Sequence, residues 1–94
     1  MRVEWLRRAL RNIDQVGQYI GENDAVAADR LIQRIRQCVD QLAEHPHLGR
    51  PGRIPGTREL VVTGTPYIVP YRVRGRTVEV LRVLHGARRW PDTF

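Results

Sequence analysis

Residues 67–90 read Tyr67-Ile68-Val69-Pro70-Tyr71-Arg72-Val73-Arg74-Gly75-Arg76-Thr77-Val78-Glu79-Val80-Leu81-Arg82-Val83-Leu84-His85-Gly86-Ala87-Arg88-Arg89-Trp90. Two runs rich in β-branched and aromatic residues, Tyr67–Val73 and Thr77–Leu84, flank Arg74-Gly75-Arg76, which supplies a turn. A β-hairpin follows, with a basic exit that carries a histidine. Strand alternation sends Tyr67, Val69, Tyr71 and Val73 to one face, and Ile68, Pro70 and Arg72 to the other. If Gly75-Arg76 is a two-residue turn, Val73 faces Val78 and Arg72 faces Glu79, with Val78 and Val80 on the apolar side. Arg72 then either pairs with Glu79 or carries a functional charge. Pro70 has no N–H for a ladder and marks a bulge or an edge. The same register would turn Arg82 into the core, where an unpaired charge is too costly. Either Arg82 lies near the sheet margin or the register slips by one there.

Working outward, Val3 and Trp5 alternate with Arg2 and Glu4, the pattern of a short first strand. Leu6, Ala9, Leu10, Ile13, Val16, Gly17 and Ile20 recur at helical spacing and predict a helix ended by Gly21. Asn23 or Asp24 can cap a second helix, predicted over about Ala25 to Glu44 from Ala28, Leu31, Ile32, Ile35, Cys38, Val39 and Leu42. So short a connection makes the two helices an antiparallel hairpin, since neither can bury its stripe alone. From His45 to Thr57, three prolines and three glycines break up the chain and exclude regular structure, leaving a loop expected to be functional or mobile. Arg58–Val62 reads as a further strand. The expected class is α+β: an N-terminal strand, an antiparallel helical hairpin, then a three-stranded antiparallel sheet with the helices on one face.

Ninety-four residues suit one domain, spanning 1–94, with chemistry on a face or in a shallow cleft. The single cysteine, Cys38, falls on the helical stripe as a small core residue and has no internal disulfide partner. No apolar run reaches membrane-spanning length and no signal-peptide pattern opens the chain, so a reducing, cytoplasmic setting without membrane contact is expected. All sixteen basic residues are arginine. Residues 1–44 balance seven arginines against seven acids, whereas 45–94 set nine arginines against Glu59, Glu79 and Asp92 and hold the whole net charge of +6. Arginine's planar fork suits phosphate and carboxylate, which points to nucleic acid or an acidic protein segment as partner.

His85, Arg88, Arg89 and Trp90 arrive together at the hairpin exit. A histidine can move a proton, arginines can stabilise extra phosphoryl charge and a tryptophan can stack on a base. Those are parts of a metal-free ribonuclease and equally parts of a binding surface. His45 and His47 read as surface or capping residues. No HExxH, CxxC, GxGxxG or P-loop pattern is present, and neither a metal nor a cofactor is expected.

Met1–Trp5, Tyr19-Ile20, His45-Pro46-His47-Leu48-Gly49-Arg50-Pro51, Arg58–Val62, Tyr67–Val73 and Val80-Leu81-Arg82-Val83-Leu84-His85-Gly86-Ala87-Arg88 occur in an order and spacing that resemble the RelE/ParE superfamily of toxins from bacterial type II toxin–antitoxin modules, the plasmid-stabilisation type. The resemblance spans essentially the whole chain. It implies a growth-arresting α+β toxin held inactive by a cognate antitoxin, with either DNA gyrase or the ribosome and its mRNA as target. Members that cut messenger RNA commonly place an arginine directly after the aromatic that opens the third strand, where this chain has Ile68 after Tyr67. RelE-type members also use lysines on the preceding strand, where Glu59 and Val61 stand here. Relatives with a glutamate, an arginine and a C-terminal histidine leave Glu59, Arg72 and His85 as a substitute catalytic set, if the chain is a ribonuclease. Arg50, Arg53, Arg58, Arg88, Arg89 and Trp90 are the candidates for contacting the target or its phosphates. The His85-Gly86-Ala87-Arg88 exit looks more like ParE-type members, which poison gyrase. A non-catalytic basic module that binds nucleic acid or protein is the alternative of a different class.

Overall fold

Arg2–Trp5 forms strand β1, with Val3 and Trp5 turned toward the core. The computed structural model describes all residues, 1–94. Helix α1 runs over Arg7–Gly21 and buries Ala9, Ile13 and Val16, one stripe of its helical repeat. Helix α2, Ala25–Asp40, starts at Asp24, whose carboxylate accepts the Ala27 N–H at 3.0 Å and satisfies one of the free donors of the first turn. A 3₁₀ turn, Gln41–Ala43, ends it and buries Leu42. The two helices pack on each other and cover one face of the sheet, as their facing stripes require. Neither is long and apolar enough to cross a membrane.

Five further strands follow: β2 (Arg50–Pro51), β3 (Arg58–Val61), β4 (Tyr67–Arg74), β5 (Thr77–Val80) and β6 (Leu84–His85). The order across the sheet is β1-β5-β4-β3-β2, and β6 continues along β4 beyond β5. The class is the expected α+β, and the sheet is mostly antiparallel. It departs from three plain strands in two ways. β1 lies parallel to β5, in register from Arg2 opposite Thr77 to Trp5 opposite Val80: the helical hairpin carries the chain from β1 at one edge of the sheet to β2 and β3 at the other, and the antiparallel run β3, β4, β5 returns to pair with β1. The proline- and glycine-rich segment, expected to exclude regular structure, contributes β2, which pairs Arg50 with Glu59 and Pro51 with Arg58.

The hairpin has the expected register: Val73 pairs with Val78 and Arg72 with Glu79 around Gly75-Arg76. Gly75 sits at φ 60°, the first-position glycine of a type II′ turn. Past Tyr71–Val80 the register slips by one, so that Ile68 pairs with Leu84 and Tyr67 with His85. The slip is a β-bulge at Pro70, whose carbonyl accepts both the Leu81 N–H at 2.9 Å and the Arg82 N–H at 3.4 Å. The extra residue keeps Arg82 out of the core and puts Val83, 3 % exposed, into it. The main core is a cluster of 14 buried residues between the helices and the sheet, with Tyr71, Val69, Val78 and Val80 from the hairpin fully enclosed.

Candidate functional site

Glu59 lies opposite Pro70, which is two residues from Arg72, so Glu59 and Arg72 share the sheet face away from the helices. His85 pairs with Tyr67, a core-facing residue, and their rings meet edge to face with centroids 5.6 Å apart. The structure therefore puts Glu59 and Arg72 on one face and His85 on the other, and does not bring the three together as a catalytic set. Each is also engaged locally. Arg72 Nε donates to Glu79 Oε1 at 2.7 Å, with Arg74 Nε 3.6 Å from the same oxygen. The Arg72 hydrogen bond, opposed by partial burial and helped by both guanidinium charges, holds the Glu79 carboxyl below its ordinary value.

Glu59 is only 2 % exposed. Its Oε1 accepts Arg50 Nη2 at 3.1 Å and its Oε2 accepts the Arg53 N–H at 2.8 Å, while Arg53 Nε stands 3.9 Å away. A buried carboxylate needs such donors, and here they bend residues 50–53 over the strand. Arg58 Nη1 donates to the Gly49 carbonyl at 2.7 Å. Tyr71 completes the seat: its hydroxyl donates to the Pro46 carbonyl and accepts the Gly49 N–H, each at 2.8 Å. Burial pushes the Tyr71 phenol up, against the Gly49 bond and the Arg58 charge. A Cβ on Gly49 would stand 2.6 Å from the Tyr71 ring, so only glycine fits there. Arg50, Arg53 and Arg58, read from the sequence as target contacts, thus also tether their own segment. Periodicity gave no sign of this, because the tether is made by long-range pairs.

At the exit, His85 Nδ1 accepts the Ala87 N–H at 3.2 Å and the His85 carbonyl accepts Trp90 Nε1–H at 3.1 Å. The Arg53 guanidinium lies 3.6 Å over the Trp90 ring, so that face of the indole is taken by the protein itself. Arg88 stands 5.5 Å from the centre of the exposed Tyr19 ring, and Arg89 makes no hydrogen bond or ion pair. Asn12 was not singled out in the sequence. Its Oδ1 accepts both Arg82 Nε at 2.8 Å and the Val83 N–H at 3.2 Å, tying α1 to the bulge. Burial, then the nearby Arg8 charge, lowers the Arg82 pKa.

Beyond Glu59, strand β3 has no partner on its outer side, and a groove of about 540 Å³ opens there between α2 and Leu60–Thr63. Leu48, 50 % exposed, and Val61, 44 % exposed, line it together with Arg34 and Arg50. Cys38 also lines the groove, half-buried, and its thiol is pushed up by burial despite the Arg34 charge. A thiol raised in this way holds less of the reactive thiolate than a free cysteine does.

A helical hairpin across one face of a twisted, mostly antiparallel sheet, with arginines at the sheet's exit, defines a small α+β toxin of the RelE/ParE superfamily. A family model described as the ParE toxin of type II toxin–antitoxin system, parDE, matches residues 3–90, and the chain belongs to that family. The Sinorhizobium fredii protein Y4kP is 52% identical over 93 residues, spanning 99% of this chain and 96% of its own. Toxin RelE2 of Caulobacter vibrioides is 38% identical over 86 residues, spanning 92% and 96%. A chain of the chromosomal ParDE TA system from P. aeruginosa superposes with a TM-score of 0.83 at 27% identity, covering 90% of this chain and 95% of that one.

Proposed function

We propose that this type II toxin arrests growth by engaging DNA gyrase, and that it is held inactive by an antitoxin. The observation that carries the reading is the dispersal of Glu59, Arg72 and His85 over two faces, the first two already in ion pairs. Cutting RNA without a metal requires a base and an acid in reach of one phosphate, and these residues do not converge on one point. Ile68, in place of the arginine of messenger-cutting members, supports the same reading. Arg88 and Arg89, free of ion pairs at the exit, are the residues proposed to meet the target.

A purified toxin that blocks gyrase supercoiling and leaves ribosome-bound messenger intact is the expected outcome of parallel assays. Codon-associated cleavage with unaffected supercoiling would overturn it in favour of the second reading, mRNA cleavage. One feature favours that second reading: His85 binds Ala87 through Nδ1, which leaves Nε2 available for proton transfer near Arg88 and Arg89.

The P. aeruginosa structure is of a ParDE system, which supports an antitoxin partner for this chain too. The groove beside β3 offers exposed Leu48 and Val61 between Arg34 and Arg50, a surface suited to a segment with apolar and acidic residues. Val61→Glu should weaken antitoxin binding by about tenfold or more, read by titration calorimetry of the purified pair. Unchanged affinity would exclude this groove as the docking site.

A further inference from the structure

The near end of the exit is pinned to the sheet by backbone hydrogen bonds. The Gly86 N–H donates to the Pro66 carbonyl at 2.7 Å, and the His85 carbonyl accepts both the Arg88 N–H at 3.2 Å and Trp90 Nε1–H at 3.1 Å. Residues 85–90 thus close into a small loop, with Ala87, Arg88 and Arg89 exposed on it and Trp90 half-buried at its end. The far end of that loop depends on how the indole is held. Its N–H is taken by His85, and one face carries the Arg53 guanidinium, 3.6 Å from the ring centre. The two other arginine–aromatic contacts of the chain stand at 5.5 and 5.7 Å, so only Arg53 on Trp90 has the spacing of groups in van der Waals contact.

Arg53 can hold a ring because its own backbone is fixed from the other side. Its N–H donates to Glu59 Oε2 at 2.8 Å, and Glu59, 2 % exposed, is built into β3 opposite Pro70. The Arg53 side chain is 54 % exposed, and its Nε is 3.9 Å from Oε2, too far for a hydrogen bond. The close partner of the guanidinium is therefore the indole. A planar guanidinium lying on a planar ring holds that ring in one tilt, which a compact ammonium group does not do. Arg88 and Arg89 immediately precede Trp90, so the direction in which they leave the surface follows from where the indole sits. The segment that folds on Glu59 and the exit from the hairpin, far apart in sequence, meet at this one stacked pair.

We propose that Arg53 is a positioning residue for the exit: by clamping Trp90 it fixes the direction in which Arg88 and Arg89 are presented, without itself meeting the target. The inference rests on the reading that those two arginines engage the target, and it adds the residue that aims them.

Arg53→Ala removes only a half-exposed side chain and keeps the N–H bond to Glu59, so it should retain the wild-type melting temperature. Amide NMR shifts and ¹⁵N relaxation of the full chain read the exit directly. Shifts at residues 85–90 and greater picosecond-to-nanosecond mobility there are expected in Arg53→Ala. In the gyrase supercoiling assay, the toxin concentration for half inhibition should rise about fivefold. In a Trp90→Leu background the same substitution should add less than about twofold, because a residue that acts through the indole then has nothing to act on. The proposal is overturned if the exit keeps its shifts and mobility in Arg53→Ala, or if that variant inhibits as well as the wild type. It is also overturned if the loss is equal in both backgrounds, which would make Arg53 a direct contact of the target. Wild-type toxin that leaves supercoiling untouched would instead remove the gyrase reading. The same cycle of variants is then compared by growth arrest on expression, read as colony counts, and the NMR comparison, which needs no target, still decides whether Arg53 orders the exit.

Discussion

Glu59 is the residue on which the segment from Pro46 to Arg58 depends. It accepts hydrogen bonds from the Arg50 guanidinium and the Arg53 N–H while almost wholly buried, so removing it strands donors that folded around it. Glu59→Ala should cost about 2 kcal/mol, moderated because both guanidinium groups keep access to water. For a domain of this size that is a fall in melting temperature of roughly 8–16 °C, measurable by calorimetry. Tyr71 acts on the same segment from beneath. Tyr71→Phe keeps the ring in the core but leaves the Gly49 N–H and the Pro46 carbonyl unpaired, a loss of about 1–3 kcal/mol in urea denaturation. Normal stability of both variants would show that the segment is held by something other than these bonds.

Among elements, the bulge in the β-hairpin carries the largest consequence. Pro70 cannot donate to the neighbouring strand, and the chain opposite it takes up one extra residue. Without the slip, Arg82 would occupy the core position that Val83 holds. The bulge also leaves the Val83 N–H and the Arg82 guanidinium in need of an acceptor, and α1 supplies one in Asn12. Asn12→Ala deprives both donors, whereas Arg82→Ala removes only one of them. The first should therefore be the more destabilising by about 1 kcal/mol. Equal losses in chemical denaturation would mean that the Val83 N–H finds another partner.

At the scale of the molecule, the arginine excess of the C-terminal half divides into structural and free parts. Arg50, Arg53, Arg58 and Arg72 have protein partners, while Arg89 has none and Arg88 only a ring. Under the proposed function, a variant with Arg88→Ala and Arg89→Ala should keep the wild-type melting temperature and lose growth arrest on expression, read as colony counts. Acid stability depends on the other group. Glu79 is held below its ordinary value near 4.5 by Arg72, so its folded form binds protons less readily than its unfolded form. That contribution is fully present above the ordinary carboxylate range and is lost as pH falls through the lowered folded value. Stability measured from pH 6 downward should therefore fall more steeply for the wild type than for Glu79→Gln, whose curve should lack this component.

The sequence by itself determined whatever depends on local period and turn chemistry. Helical spacing fixed α1 and α2, Gly21 with Asn23 or Asp24 their boundary, and the two-residue turn at Gly75-Arg76 the pairing of Arg72 with Glu79, because in a strand every second residue shares a face. Pro70 marked a bulge or an edge, and Arg82 either a place near the sheet margin or a slip of the register by one; the structure has the slip. What the tertiary structure decided is what no period encodes: the parallel seat of β1 on β5, the closing of the Pro46–Arg58 segment on Glu59 and Tyr71, and the separation of Glu59 and Arg72 from His85. Each rests on contacts between residues far apart in sequence. The same residue types could have met at one point or been dispersed, and only the sheet's face-by-face geometry chose dispersal.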